Sequence, residues 1–213
     1  MTPIFKLSRL TALLAAAALA PLAVQAESVF QSGAGALSGS ARLDFRIVIP
    51  KILFLQVGAG PVAPALTANG TINLIDFTPL AANIGDSSVI AATALSGDLG
   101  TGAVTARLVS NGGDVTFNST TTGALTTGVA LETIPYSEIA VATAVLSSAT
   151  ALPMPALVAT GGTTSTTVTA VAKVVNRDAR WTFTYKNTAV VAPGTYGGTN
   201  TNGSRVTYTA SVL

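Results

Sequence analysis

An all-β chain folded as an antiparallel β-sandwich is what this sequence predicts, and three observations predict it. Thr, Ser, Gly, Ala and Val dominate, while Glu, Lys, Leu and Gln are sparse, which suits short strands and tight turns better than amphipathic helices. Stretches of alternating apolar and polar residues recur along the chain, punctuated by Gly, Asn and Pro. The 213 residues include no cysteine, so stability must come from burial and sheet hydrogen bonding rather than disulfides. About eight strands are expected, in a sandwich of immunoglobulin-like or jelly-roll kind.

The chain opens MTPIFKLSRLTALLAAAALAPLAVQA. Lys6 and Arg9 precede an apolar stretch, and Val24-Gln25-Ala26 supplies the small residues of a cleavage site. That is the layout of a secretory signal peptide over residues 1–26, and it implies export. No later segment has about 18 uninterrupted apolar residues, so no transmembrane segment is expected once the signal is removed. Because two basic residues fall in the signal, nine basic residues then balance nine acidic ones. No basic field remains to attract nucleic acid.

Residues 27–40 are rich in Gly and Ser and read as a flexible N-terminal segment; 41–213 read as a single sandwich domain. In ARLDFRIVI, residues 41–49, Leu43, Phe45, Ile47 and Ile49 share one face, with Arg42, Asp44 and Arg46 on the other. Residues 52–57 follow as a strand in which the apolar residues run together but for Gln56, after a break at Pro50. Residues 71–77 form the next expected strand. Residues 104–109 and 115–117 flank Asn111-Gly112-Gly113-Asp114 and read as a hairpin. Residues 139–146 and 167–175 are further strands, and Asn176-Arg177-Asp178 is read as the turn into 180–186. Residues 205–213 close the chain with Val206, Tyr208, Ala210 and Val212 on one face and Thr207, Thr209 and Ser211 on the other. Residues 76–86 and 131–138 each suit a short helical turn.

A transmembrane barrel is the structural rival. Aromatic residues make up 6% of the chain, thin for two interfacial girdles, and the last strand ends on Leu213 with polar same-face neighbours. Histidine is absent along with cysteine, which removes Ser–His–Asp and Cys–His catalysis and the usual zinc and copper ligands. The nine carboxylates sit mostly beside Gly, Asn or Ser, as turn acids do. No enzyme activity, cofactor or metal is therefore expected. Trp181, Phe183 and Tyr185 share one strand face. They could stack on sugar rings, but three aromatics at alternating positions favour the core-facing side of a central strand.

The closing stretch WTFTYKNTAVVAPGTYGGTNTNGSRVTYTASVL, residues 181–213, is similar to the final hairpin of bacterial surface β-sandwich proteins. In them an aromatic strand, a P-G-T-Y type turn and a last strand of alternating Thr and apolar residues recur. The chain resembles fimbrial-subunit families of the spore-coat-U type and the end of WxL surface domains. It departs from them in having no disulfide, no W-x-L triplet and Val212 in place of an aromatic. The resemblance implies a bacterial protein exported to the periplasm, outer surface or medium, with a structural or adhesive role. Its partners would be itself or related surface subunits, joined by strand exchange, with Leu43, Phe45, Ile47 and Ile49 as the candidate assembly strand. The direct run from 41–49 into 52–57 favours instead a first strand of the chain's own sandwich. The alternative function is a monomeric module binding glycan or cell wall through its loops or through Trp181, Phe183 and Tyr185.

Overall fold

A computed structural model describes residues 28–213. The expected signal peptide, residues 1–26, lies outside the described residues. The chain clusters into two units, Met1–Ile49 and Pro50–Leu213. The described part of the first, 28–49, carries no helix or strand.

The second unit is all-β. Its ten strands are β1 (Leu53–Val57), β2 (Ile90–Ala91), β3 (Ala103–Ser110), β4 (Val115–Thr121), β5 (Leu125–Thr126), β6 (Thr133–Ile134), β7 (Ile139–Ala144), β8 (Gly162–Val168), β9 (Val175–Tyr185) and β10 (Val206–Ser211). Every pairing is antiparallel. One sheet runs β1–β3–β9 with β7 on the far side of β9, and two-residue β2 prolongs the β3 edge against Thr184 and Tyr185. The second sheet runs β10–β4–β8; β5 and β6 pair separately. The expected helical turns are single 3-10 turns at Ala81–Asn83 and Tyr136–Glu138.

The two larger sheets face each other, and alternation sets what lies between them. Val104, Ala106 and Leu108 of β3 and Ala179, Trp181 and Phe183 of β9 pack against Val115 and Phe117 of β4 and Val168 of β8. Trp181 is the hub: it stacks on Phe117 at 6.1 Å, tilts against Tyr208 at 5.4 Å, and donates its indole N–H to Leu152 O at 3.0 Å. The outer face of the β10–β4–β8 sheet is made of hydroxyls and one amide. Register aligns Ser211–Thr116–Thr167, Thr209–Asn118–Ser165 and Thr207–Thr120–Thr163 in three rows. This is how a chain with so few charges keeps a solvated sheet face, since Thr combines β propensity with a water-facing hydroxyl.

Four expectations about strands and turns need correction. Residues 41–49 do not form the first strand of the chain's own sandwich. The ladder begins at Leu53, because Pro50 has no N–H and the Asn111 side chain takes both Pro50 O (2.8 Å) and the Ile52 N–H (2.8 Å). Residues 71–77 are not a strand either; they are held by single bonds, Thr93 N–H to Asp76 O and Gly97 N–H to Leu74 O. Asn111–Asp114 does reverse the chain, but β3 and β4 belong to opposite sheets, so it is an arch between sheets and not a hairpin. Gly112 is closely packed there: a Cβ would meet Lys51 Cε at 2.4 Å and Val212 Cγ2 at 2.9 Å, so both side chains would have to shift to admit one.

Finally, β9 runs unbroken through Asn176-Arg177-Asp178, and the turn before it lies at Ala172-Lys173. Val171 and Val174 exchange two backbone hydrogen bonds of 2.9 Å around that pair. Both turn residues take positive φ, 49° and 66°, the type I′ arrangement that Asn-Gly adopts without strain. Ala-Lys carries no such signal. Replacing the pair, Ala172→Asn with Lys173→Gly, should therefore stabilise the protein by about 1 kcal/mol. A thermal melt checks this, and an unchanged or lower midpoint would refute the strain argument. The two arches also clasp each other: Gly113 N–H donates to Lys173 O at 3.0 Å, and Asp114 Oδ1 accepts from Ala170 N–H at 2.8 Å.

Candidate functional site

The acidic residues hold loops. Asp98 accepts the Thr105 N–H at 2.9 Å, and Glu138 accepts from Thr188 N–H and Oγ1 at 3.0 and 2.7 Å. Asp86 caps the Ser88 N–H at 2.8 Å, and the hydrogen bonds from Ser88 hold its carboxyl below the usual range. Asp178 is the most heavily engaged. Its carboxylate accepts the Ser147 and Ser148 N–H groups at 2.8 and 2.9 Å and the hydroxyls of both serines. Burial pushes its pKa up, but these four donors outweigh it and hold the carboxyl well below the ordinary value. Among the described residues no cluster of three or more His, Cys, Asp or Glu could hold a metal ion. No described helix is long and apolar enough to cross a membrane.

An apolar groove lies beside β7. Tyr136 fixes the entry to this strand: its N–H donates to Ala159 O at 3.0 Å and its hydroxyl to Gly203 O at 2.8 Å. Burial pushes that hydroxyl's pKa up to about 12, so it stays a donor at any ordinary pH. β7 pairs with β9 alone among the described residues, so its other edge carries no ladder. Alongside runs the segment 154–158, fastened to the β10–β4–β8 sheet by side chains. Ser119 Oγ donates to Ala156 O at 2.7 Å and Thr121 Oγ1 to Val158 O at 3.0 Å, while Thr164 Oγ1 also reaches Ala156 O. Between β7 and this segment opens a groove of about 340 Å³ lined by Ile139, Val141, Met154 and Leu157, with Tyr136 and Lys186 at its polar margins.

An unpaired strand edge beside an apolar groove can take an extended peptide: the edge supplies main-chain hydrogen bonds, and the groove takes alternate side chains. Sequence reasoning missed this feature. Its usable signal is Leu152-Pro153-Met154-Pro155, where two prolines keep the apolar Leu152 and Met154 out of a central strand although they must be covered.

The candidate assembly residues are exposed. Leu43, Phe45, Ile47 and Ile49 lie outside any sheet, with Phe45 86% and Ile47 85% accessible. The candidate glycan-stacking face is corrected. Trp181, Phe183 and Tyr185 are all buried and cannot meet a sugar, because β9 is the central strand of its sheet and that face is the core. Comparisons with family models, with curated proteins and with solved structures found no match to this chain.

Proposed function

We propose that the protein is an exported structural or adhesive subunit of a bacterial envelope or surface, and that it self-associates by strand addition. Residues 43–49 of one copy pair with the free edge of β7 in the next. One observation carries this reading: the segment presents four alternating apolar side chains to solvent with no ladder of its own. Its seven residues would span ~23 Å as a strand, close to the ~20 Å of six-residue β7. Leu43, Phe45, Ile47 and Ile49 would seat in the groove beside Ile139, Val141, Met154 and Leu157, leaving Asp44 and Arg46 in water.

Light scattering over a wide concentration range tests the proposal. Oligomers or filaments are expected to form as concentration rises and to vanish in the Phe45→Asp/Ile47→Asp variant, which places two charges where the groove requires apolar groups. A particle that stays monomeric at every concentration, or oligomers indifferent to these substitutions, would remove strand addition from consideration.

A further inference from the structure

A second concave feature lies on the outer face of the five-stranded sheet, and it does not depend on assembly. Register places Gln56 of β1, Arg107 of β3 and Asp178 of β9 in one row across that face. Outward residues elsewhere on β9, such as Asn176 and Arg180, are exposed. The three in this row are only 8%, 6% and 8% accessible, because two loops fold over them. One is tied down by the Gln56 Nε2 bond to Gly58 O (3.0 Å) and the Arg107 Nη1 bond to Ala65 O (2.9 Å). The other is held by Ser147 and Ser148 on Asp178. Between the loops is a cavity of about 300 Å³ that all three polar residues line.

The polar inventory of this cavity is uneven. Asp178 is spent on its four serine donors. Arg107 is not: its guanidinium sits 5.4 Å from the Phe54 ring centroid and gives Nη1 to Ala65 O, while Nε and Nη2 bond to no described residue. Those two nitrogens are not sealed from solvent either, as buried orphans would be. Arg107 thus lines the cavity while buried and with two donors still open. At the rim, Asp98 uses Oδ1 on the Thr105 N–H and has Oδ2 free. Pro61, Val62 and Leu146 form an apolar wall.

One cation, Arg107, and two carboxylates, Asp178 and Asp98, line the cavity and leave it net negative, so a neutral ligand is favoured over an anion. Fixed donors, an open acceptor and an apolar wall together match a molecule with adjacent hydroxyls and a C–H face. We propose that this cavity binds a single neutral hexose unit. Arg107 Nε and Nη2 donate to its hydroxyl oxygens, Asp98 Oδ2 accepts a hydroxyl proton, and the ring's C–H face lies on Pro61, Val62 and Leu146. The volume accommodates one ring, which makes the site suited to a chain end or side branch.

The test titrates the protein with the methyl glycosides of glucose, galactose and mannose, and with methyl glucuronide as the charged comparator, following backbone amide shifts by NMR. At least one neutral glycoside is expected to give saturable shifts at Val62, Thr105 and Leu146. Asp98→Asn keeps an oxygen for the Thr105 N–H but replaces the free acceptor with a donor; it should weaken binding about tenfold. Leu146→Trp fills the cavity from an already half-exposed position and should abolish the shifts while the rest of the spectrum holds. The proposal is overturned if no neutral glycoside shifts these amides, if the glucuronide alone does, or if Leu146→Trp binds unchanged.

Discussion

Trp181→Ala is expected to destabilise the protein by about 4 kcal/mol, the largest loss of any single truncation. Trp181 is fully buried at the centre of the sandwich, against Phe117 from the opposite sheet and Tyr208 from β10. Truncation leaves a cavity that rigid strands on both sides cannot close. It also leaves Leu152 O without the indole donor, and that bond ties the segment after β7 to the core. An unpartnered buried carbonyl adds its own desolvation cost, about 1–3 kcal/mol. Trp181→Phe separates the two contributions, since it refills most of the volume and removes only the N–H. Urea unfolding should rank wild type, then Trp181→Phe, then Trp181→Ala. A loss below about 1 kcal/mol for the alanine variant would mean that this interior is not close-packed.

Asp178→Asn should cost about 3 kcal/mol at neutral pH, because it replaces an ionised acceptor of four hydrogen bonds with an amide whose NH2 faces the serine donors. The pH dependence has a definite sign. The folded carboxyl is held below its unfolded value, so its stabilising contribution is complete above an unfolded pKa of about 3.9 and is lost as pH falls towards the folded value. Wild type and Asp178→Asn should therefore differ by a constant amount from pH 5 to 7 and converge on acidification below about pH 4. Denaturant midpoints at several pH values check this. A gap that persists undiminished into strong acid would show that the role of Asp178 is not that of an ionised acceptor.

Assembly and hexose binding use different parts of the chain. The first would engage residues 43–49 and the β7 edge, the second the loops over Gln56, Arg107 and Asp178. Phe45→Asp/Ile47→Asp should leave glycoside binding intact, and Leu146→Trp should leave the oligomer distribution unchanged. A surface subunit that polymerises through one face and holds a sugar on another would combine both readings of its role.

The character of the strands was decided by the sequence alone. Thr- and Val-rich alternation made the chain all-β, and the row Trp181, Phe183, Tyr185 pointed to the core, because a strand's period of two assigns faces without reference to any partner. The two short 3-10 turns and the loop-holding acids were equally local. Pairing was not. Asn111–Asp114 has the composition of a hairpin turn, yet it sends β3 and β4 to opposite sheets. Ala172-Lys173 has no turn signature, yet it makes a two-residue reversal. Turn residues set where a chain can reverse, but whether the flanking strands pair or part depends on long-range partners, here the clasp between the two arches and the ladder that β9 offers to β3. For the same reason only the tertiary structure buried Arg107 on an outward face, opened a groove beside β7, and left 41–49 without a ladder: each depends on what neighbouring loops and strands cover, which no local pattern encodes.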